Sequence, residues 1–405
     1  MTDSPPPGPL GGVRVIDLTT VVMGPLSTRI LADLGAEVIK VEAPDGDFVR
    51  HFEPKRSDGM SAFSMALNRN KRSIALDLKS DPGRTAMLDL VATADAFVTN
   101  VRPKALARLG LTDPDLRDRR ADLIYCSATG FGSDGPYADR AAYDDVIQAS
   151  SGLATMFTWT QGEPMFVPSI VADKVAALHI AYAVMAALYR RAQTGEGDHI
   201  EVPMAEALAS FNLVEHLSGH AYEPPVGDFS YLRIRTPHRR PRRSADGWVC
   251  VLPYSNENWR DFFTLAGRPD LADDERFTTI NGRVEHVDAL YGELDDIIAS
   301  RTTAEWLKLC DERSIPAAPV NELEHLEQDP HFDAVGLFQH HEHPTEGPYR
   351  VVKDPVRFAS GSPGLYRHPP RLGQDAIDLL TELGYNQDQI DAVTAPGGDA
   401  ADHPG

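Results

Sequence analysis

The chain reads as an α/β protein built on an open parallel sheet, and three observations carry that reading. Short apolar runs alternate with helical stretches from Val13 to Gly132, the pattern of right-handed strand–helix–strand units with parallel strands. A second helical signal, from Val175 to Tyr189, is apolar almost throughout, with His179 as the polar interruption, which marks a helix buried on all sides. After about residue 222 the composition shifts to an arginine-rich loop and then amphipathic helices, which points to a smaller, separate domain.

Taken in order, VRVIDLT (Val13 to Thr19) is a buried strand. Pro25 opens a helix carrying Leu26, Ile30, Leu31 and Leu34, Gly35 stops it, and a second strand follows from Glu37 to Glu42. Glu42 stands about where a ribose-binding acid falls in dinucleotide folds, but the intervening turn VVMGP has a single glycine and no GxGxxG, so NAD binding is not expected. SIALDL, the helix DPGRTAMLDLVATA, the strand Ala96 to Val101, the short basic helix RPKALARLG and the strand-to-loop segment DLIYCSATGFG continue the alternation. Strand ends of such sheets share one edge, where ligands bind. Asn70, Lys71, Arg72, Asn100, Arg102, Lys104 and Arg108 are expected to gather there, suited to phosphates. The alternative is a set of scattered, solvated surface charges.

Asp173 opens the long apolar helix, and Arg190, Arg191, Gly195 and Gly197 close it. An aspartate there is either a helix cap, where the dipole and unpaired N–H groups favour its charge, or a nucleophilic carboxylate held by the same groups. Farther on, six arginines fall between Arg233 and Arg243, beside Pro237 and Pro241; in an acidic chain this loop suits an anionic ligand or a partner subunit better than nucleic acid. WVCVLPYS is a strand, Asn258 to Cys310 is mainly helix, and IPAAPV is a proline-bounded strand. The histidines of FQHHEHP (Phe338 to Pro344) lack helical ligand spacing, so no metal site is expected. DPVRFAS is a strand, and two helices close the chain.

Composition bounds the function. Across 405 residues, 60 acids face 39 Lys and Arg, a formal charge of -21 that argues against general nucleic-acid or anionic-membrane binding. The start MTDSPPPGPLGG lacks the features of a signal peptide, and the apolar helix is internal and short for a membrane span, so a cytoplasmic protein is expected. Cys126, Cys250 and Cys310 are far apart and odd in number, fitting neither disulfides nor zinc.

The pieces GVRVIDLT, LADLGAEVIKVE, NKRSIALDL, NVRPKALARLGL, SATGFG, AYDD (Ala142 to Asp145), Ala172-Asp173 and PPRLGQ occur in that order from Gly11 toward the C-terminus. Together the chain resembles the class III CoA-transferases, the carnitine and bile-acid CoA-transferase family. The resemblance implies that Asp173 is the catalytic nucleophile and that Val21 and Val22 line the thioester. Asn100, Arg102, Ala105 and Arg108 would bind the CoA nucleotide, helped by Lys71 and Arg72. Gly130, in the Thr129 to Gly132 loop, is a candidate oxyanion donor. Tyr143 stands where the racemase branch has its histidine base; tyrosine ionises near pH ~10, which favours transfer over racemisation. A glutamine found in some relatives is replaced by Val22, and their glycine-rich loop by the arginine-rich span, which disfavours a formyl or oxalate specialist.

The implied fold is a large Rossmann-like domain built from both chain ends (11–222 and 333–393) plus a smaller α+β domain (223–332), with flexible ends at 1–10 and 394–405. The implied assembly is an interlocked homodimer. Coenzyme A enters as acyl-CoA substrate rather than as a resident cofactor, and the other partner is a free carboxylic acid. The alternatives are a 2-methylacyl-CoA racemase or a non-catalytic CoA-binding protein of the same fold.

Overall fold

The structure is a computed structural model that describes residues 8–361 and 364–394. The chain forms two compact units, one drawn from the chain up to Gln148, Pro168–Leu208 and the chain from Asp333 onward, the other from Ala149–Val167 and Ala209–Phe332. The second unit therefore takes in chain on the N-terminal side of residue 223. Its extra segment is held within that unit, where the Trp159 ring lies 5.1 Å from that of His216 and Asn212 Nδ2 donates to the Ser151 carbonyl.

The first unit is organised by a six-stranded sheet: β1 Arg14–Leu18, β2 Glu37–Glu42, β3 Lys71–Ala75, β4 Ala96–Thr99, β5 Ile124–Thr129 and β6 Asp198–Pro203. Its order is β3-β2-β1-β4-β5-β6, and every pairing is parallel. Val15, Ile16, Ile39, Phe97 and Val98 have no exposed surface, as expected for central strands covered on both faces. The strand order reverses between β1 and β4, opening the crevice that parallel sheets offer to ligands at their C-terminal ends. The sequence reading missed β6. Its residues alternate partly buried and exposed, an edge-strand pattern overshadowed by the apolar helix before it.

One face of the sheet is covered by the Asp81–Ala92 helix, capped where Ser80 Oγ accepts from Gly83 N–H. The closing helices Ala376–Glu382 and Gln387–Thr394 share its core: Leu379, Leu380, Ile390 and Val393 join Leu90, Val91 and Phe97. DPVRFAS, read as a strand, has no regular structure. Asp354 Oδ1 there accepts from Val356 N–H at 2.8 Å, and Pro355 contributes no N–H to a ladder. The hairpin before it, β10 Phe338–His343 with β11 Gly347–Val352, pairs antiparallel.

The other face carries the long helix Val171–Thr194 against the Met23–Asp33 helix, β5 and β6. At 24 residues it is longer than its apolar run, and long and apolar enough to cross a membrane; half of its most apolar window is buried within the fold. The expectation of burial on all sides fails. Val175, Ile180 and Val184 are buried, but Leu178, Tyr182 and Tyr189 are 60%, 56% and 69% exposed.

The second unit is α+β. A small antiparallel sheet, β7 Arg242–Arg243, β8 Trp248–Val251 and β9 Ala317–Pro319, packs with helices over an aromatic core of Trp259, Phe262, Phe263, Phe277 and Trp306. Among the described residues, the grouping with metal-ligand proximity is Glu322, Glu324 and His325, all exposed.

Candidate active site

A cavity of about 510 Å³ opens where the β1, β4, β5 and β6 loops converge. Each strand delivers a piece of wall: Thr20 and Val21 after β1, Asn100, Arg102 and Lys104 after β4, Ala128 to Gly130 at the end of β5, and Met204 after β6. Asp173, Arg140 and Tyr143 complete it. Asn100 ties the two central loops together, since its Oδ1 accepts from Thr20 N–H and its Nδ2 donates to the Thr20 carbonyl, both at 2.9 Å.

Asp173 lies in the first turn of the long helix. Burial works against its charge, and the nearby Asp144 carboxylate adds to that, so its pKa is pushed up to about 6; a hydrogen bond from the Met23 backbone N–H opposes the shift. Asp144 is 6% exposed, accepts the Asp173 backbone N–H at 3.0 Å through Oδ1, and accepts from Gln148 Nε2 at 2.6 Å through Oδ2. The helix is thus capped by Asp144. The Asp173 side chain itself lines the cavity.

The loop that presents Met23 is unusual. Val21 has φ 68, a left-handed conformation that a β-branched residue rarely adopts and that costs on the order of 1–3 kcal/mol. A buried clamp holds it there. Asp47 accepts Val21 N–H at 3.1 Å and 3.2 Å, while Lys40 Nζ donates to Asp47 Oδ2 at 3.2 Å and to the Thr19 carbonyl at 2.9 Å. Lys40 has no exposed surface.

Of the residues singled out from sequence, Val21, Asn100, Arg102, Gly130, Tyr143 and Asp173 meet at this cavity. Val22 is 5% exposed and lies behind the wall. Ala105 and Arg108 sit on the short Pro103–Leu109 helix outside the lining, with Arg108 Nε donating to the Lys104 carbonyl.

Lys71 and Arg72 are corrections. Lys71 is fully buried and its Nζ donates to Asp17 Oδ2, the Pro25 carbonyl and Asn68 Oδ1. Burial brings its pKa down to about 8, against the pull of Asp17. Arg72 pairs with Glu37 and Glu382 at the N-terminal end of the strands, opposite the cavity. Neither side chain can reach a ligand here. Asn70 is likewise elsewhere, bonded to Asp33 and the Gly364 carbonyl. The oxyanion expectation narrows as well, because Gly132 N–H is taken by Glu206 Oε1 at 2.9 Å; Gly130 remains on the wall.

Sequence reasoning gave no role to Asp144, although it sits in the AYDD motif, and missed Arg140, whose guanidinium lies 3.6 Å from the Tyr137 ring centroid. The Arg140 loop has no periodicity to betray it.

Comparison with known proteins agrees with this fold. The model of CoA-transferase family III matches residues 10–376. A succinate–glutarate CoA-transferase from Agrobacterium fabrum is 36% identical over 95% of this chain and 98% of its own length. The human succinyl-CoA:glutarate CoA-transferase is 32% identical over 96% of this chain and 89% of its own. Among solved structures, a CAIB/BAIF family protein from Brucella suis superposes with a TM-score of 0.78 at 31% identity, covering 93% of this chain and 99% of that one.

Proposed function

The chain belongs to CoA-transferase family III, and from that premise we propose that it exchanges CoA between two carboxylic acids through covalent intermediates on Asp173. The observation that carries the reading is a partly buried carboxylate at the wall of a strand-end cavity that also bears Arg102, Lys104 and Arg140. Those cations suit the phosphates of CoA.

The Asp173 carboxylate attacks the thioester carbonyl, the C–S bond breaks, and CoA thiolate leaves behind a mixed anhydride. The thiolate then attacks the Asp173 acyl carbon, releasing the donor acid and leaving an aspartyl-CoA thioester. The incoming carboxylate attacks that thioester, CoA thiolate leaves again, and a second mixed anhydride forms. Attack by the thiolate on the new acyl carbon regenerates Asp173 and yields the product acyl-CoA. Dividing the exchange keeps each step between groups of similar acylating power. Backbone N–H groups near the carboxylate, that of Met23 foremost, would stabilise the developing oxyanions.

Because two relatives bear their names, succinyl-CoA and glutarate are the pair to assay first. The native protein should exchange CoA between donor and acid, and Asp173→Ala should lower the rate by on the order of a thousandfold or more. Undiminished exchange in that variant would remove Asp173 from the mechanism.

A further inference from the structure

The exchange chemistry above leaves the arginine-rich span without a role, yet that span builds a cavity of its own in the second unit. The cavity holds about 300 Å³, within the size range of small-molecule sites. Arg233, Arg239, Arg240 and Arg242 all line it. One carboxylate answers them: Asp295 pairs with Arg240 at 2.9 Å and stands 3.4 Å from Arg242 Nε. Four guanidinium charges against that single carboxylate leave three unanswered, in a chain whose formal charge is -21.

Two details show which of these donors are open to a ligand. Arg242 is 8% exposed and is spent within the fold: its Nη1 donates to the Arg240 carbonyl, its Nη2 to the His238 and Tyr291 carbonyls, and its Nε stands beside Asp295. Arg239 is exposed, and among the described residues its guanidinium enters no hydrogen bond or ion pair. The remaining wall is apolar, with Leu252, Trp259 and Leu294.

The cations are also spread out. Arg233 Nε donates to the Tyr291 hydroxyl at 3.1 Å and Arg242 lies 5.2 Å from the Tyr291 ring centroid, while Arg240 reaches Asp295. Tyr291 and Asp295 belong to one helix, Val287–Ala299, a turn apart or about 6 Å along its axis. That spacing is comparable to the distance between the carboxylates of a short aliphatic diacid.

We infer that this cavity binds a short aliphatic dicarboxylate, its two carboxylates paired with guanidinium groups along the Tyr291–Asp295 face and its methylenes on Leu252, Trp259 and Leu294. Planar guanidinium–carboxylate pairing suits arginine better than lysine, and the span is built from arginine. A monocarboxylate answers too little of the charge, and inorganic phosphate leaves the apolar wall bare. The inference rests on the transferase reading for the reason a free acid should bind; the binding itself does not depend on it.

The test is calorimetric titration of the full chain with glutarate in the absence of CoA. Saturable binding is expected, at least tenfold tighter than for pentanoate or inorganic phosphate. Arg239→Gln and Leu252→Asp should each weaken glutarate at least tenfold. No binding, equal binding of pentanoate or phosphate, or unchanged affinity in both variants overturns the proposal. Asp173→Ala, run alongside, separates the two readings: it should abolish exchange while glutarate still binds. Retained exchange in that variant would sink the transferase mechanism and leave the cavity standing.

Discussion

At the scale of the residue, the proposed chemistry depends on a conflict built into Asp173. Burial and the Asp144 carboxylate raise its pKa to about 6, so the nucleophilic form is lost as the pH falls through that value. Exchange should therefore decline below about pH 6, and Asp144→Asn, by removing the nearby charge, should move that limb to lower pH; an unmoved limb would show that Asp144 does not set it. The same shift affects stability. An aspartate whose pKa rises from 3.8 to about 6 on folding binds its proton more tightly in the folded state between those values, so stability falls as the pH rises through that window. Melting of Asp173→Asn across the window should lack this slope and, at pH ~8, be more stable by roughly 1–2 kcal/mol after allowance for solvent screening.

At the scale of the element, the loop from Thr19 to Met23 matters most, because it links β1 to the helix whose Met23 N–H donates to Asp173. Its strained Val21 is held by Asp47, which is held in turn by Lys40. Asp47→Ala would leave the Lys40 ammonium buried without its paired carboxylate, at a cost on the order of 3 kcal/mol, and free Val21 to relax. Denaturant unfolding and exchange kinetics should show both lower stability and a lower kcat; a variant with native stability would mean the clamp is not under load. Central elements were legible from sequence for a simple reason. β1, β2, β4 and β5 are apolar runs bounded by turn residues, and glycine or proline marks the helix ends. The half-exposed β6 and the unstructured DPVRFAS were misjudged because the first offers just Ile200 and Val202 as aliphatic positions beside a far stronger apolar helix, and in the second local side-chain bonds override an apolar pattern. Lys71 and Arg72 misled for a related reason. Sequence shows a basic cluster but not which way each side chain leaves its strand, and these two are spent on buried or opposite-end carboxylates.

At the scale of the whole molecule, Leu178, Tyr182 and Tyr189 leave apolar surface exposed along one long helix, which solvent disfavours. Single-sequence reading took this helix as fully buried, because an apolar run carries no polar stripe from which an exposed face could be read. We propose that a second copy covers this face; sedimentation at twice the 44.3 kDa chain mass is then expected, and Tyr182→Glu should shift the population toward monomer. A monomeric native protein would contradict that arrangement. The residues of the candidate site were legible in part: Asp173 and the strand-end residues Asn100 and Arg102 follow from helix starts and sheet edges, whereas Arg140 and Met23 depend on loop paths that no spacing encodes.

The covalent role of Asp173 is the claim on which the rest depends, and intact-protein mass spectrometry tests it most directly. After incubation with succinyl-CoA, the account predicts an added mass equal to CoA thioester or succinyl anhydride, converted by hydroxylamine to a hydroxamate that maps to the peptide carrying Asp173 and is missing in Asp173→Ala. Exchange of CoA by the native protein with no adduct at Asp173, or with the adduct on another residue, would contradict it.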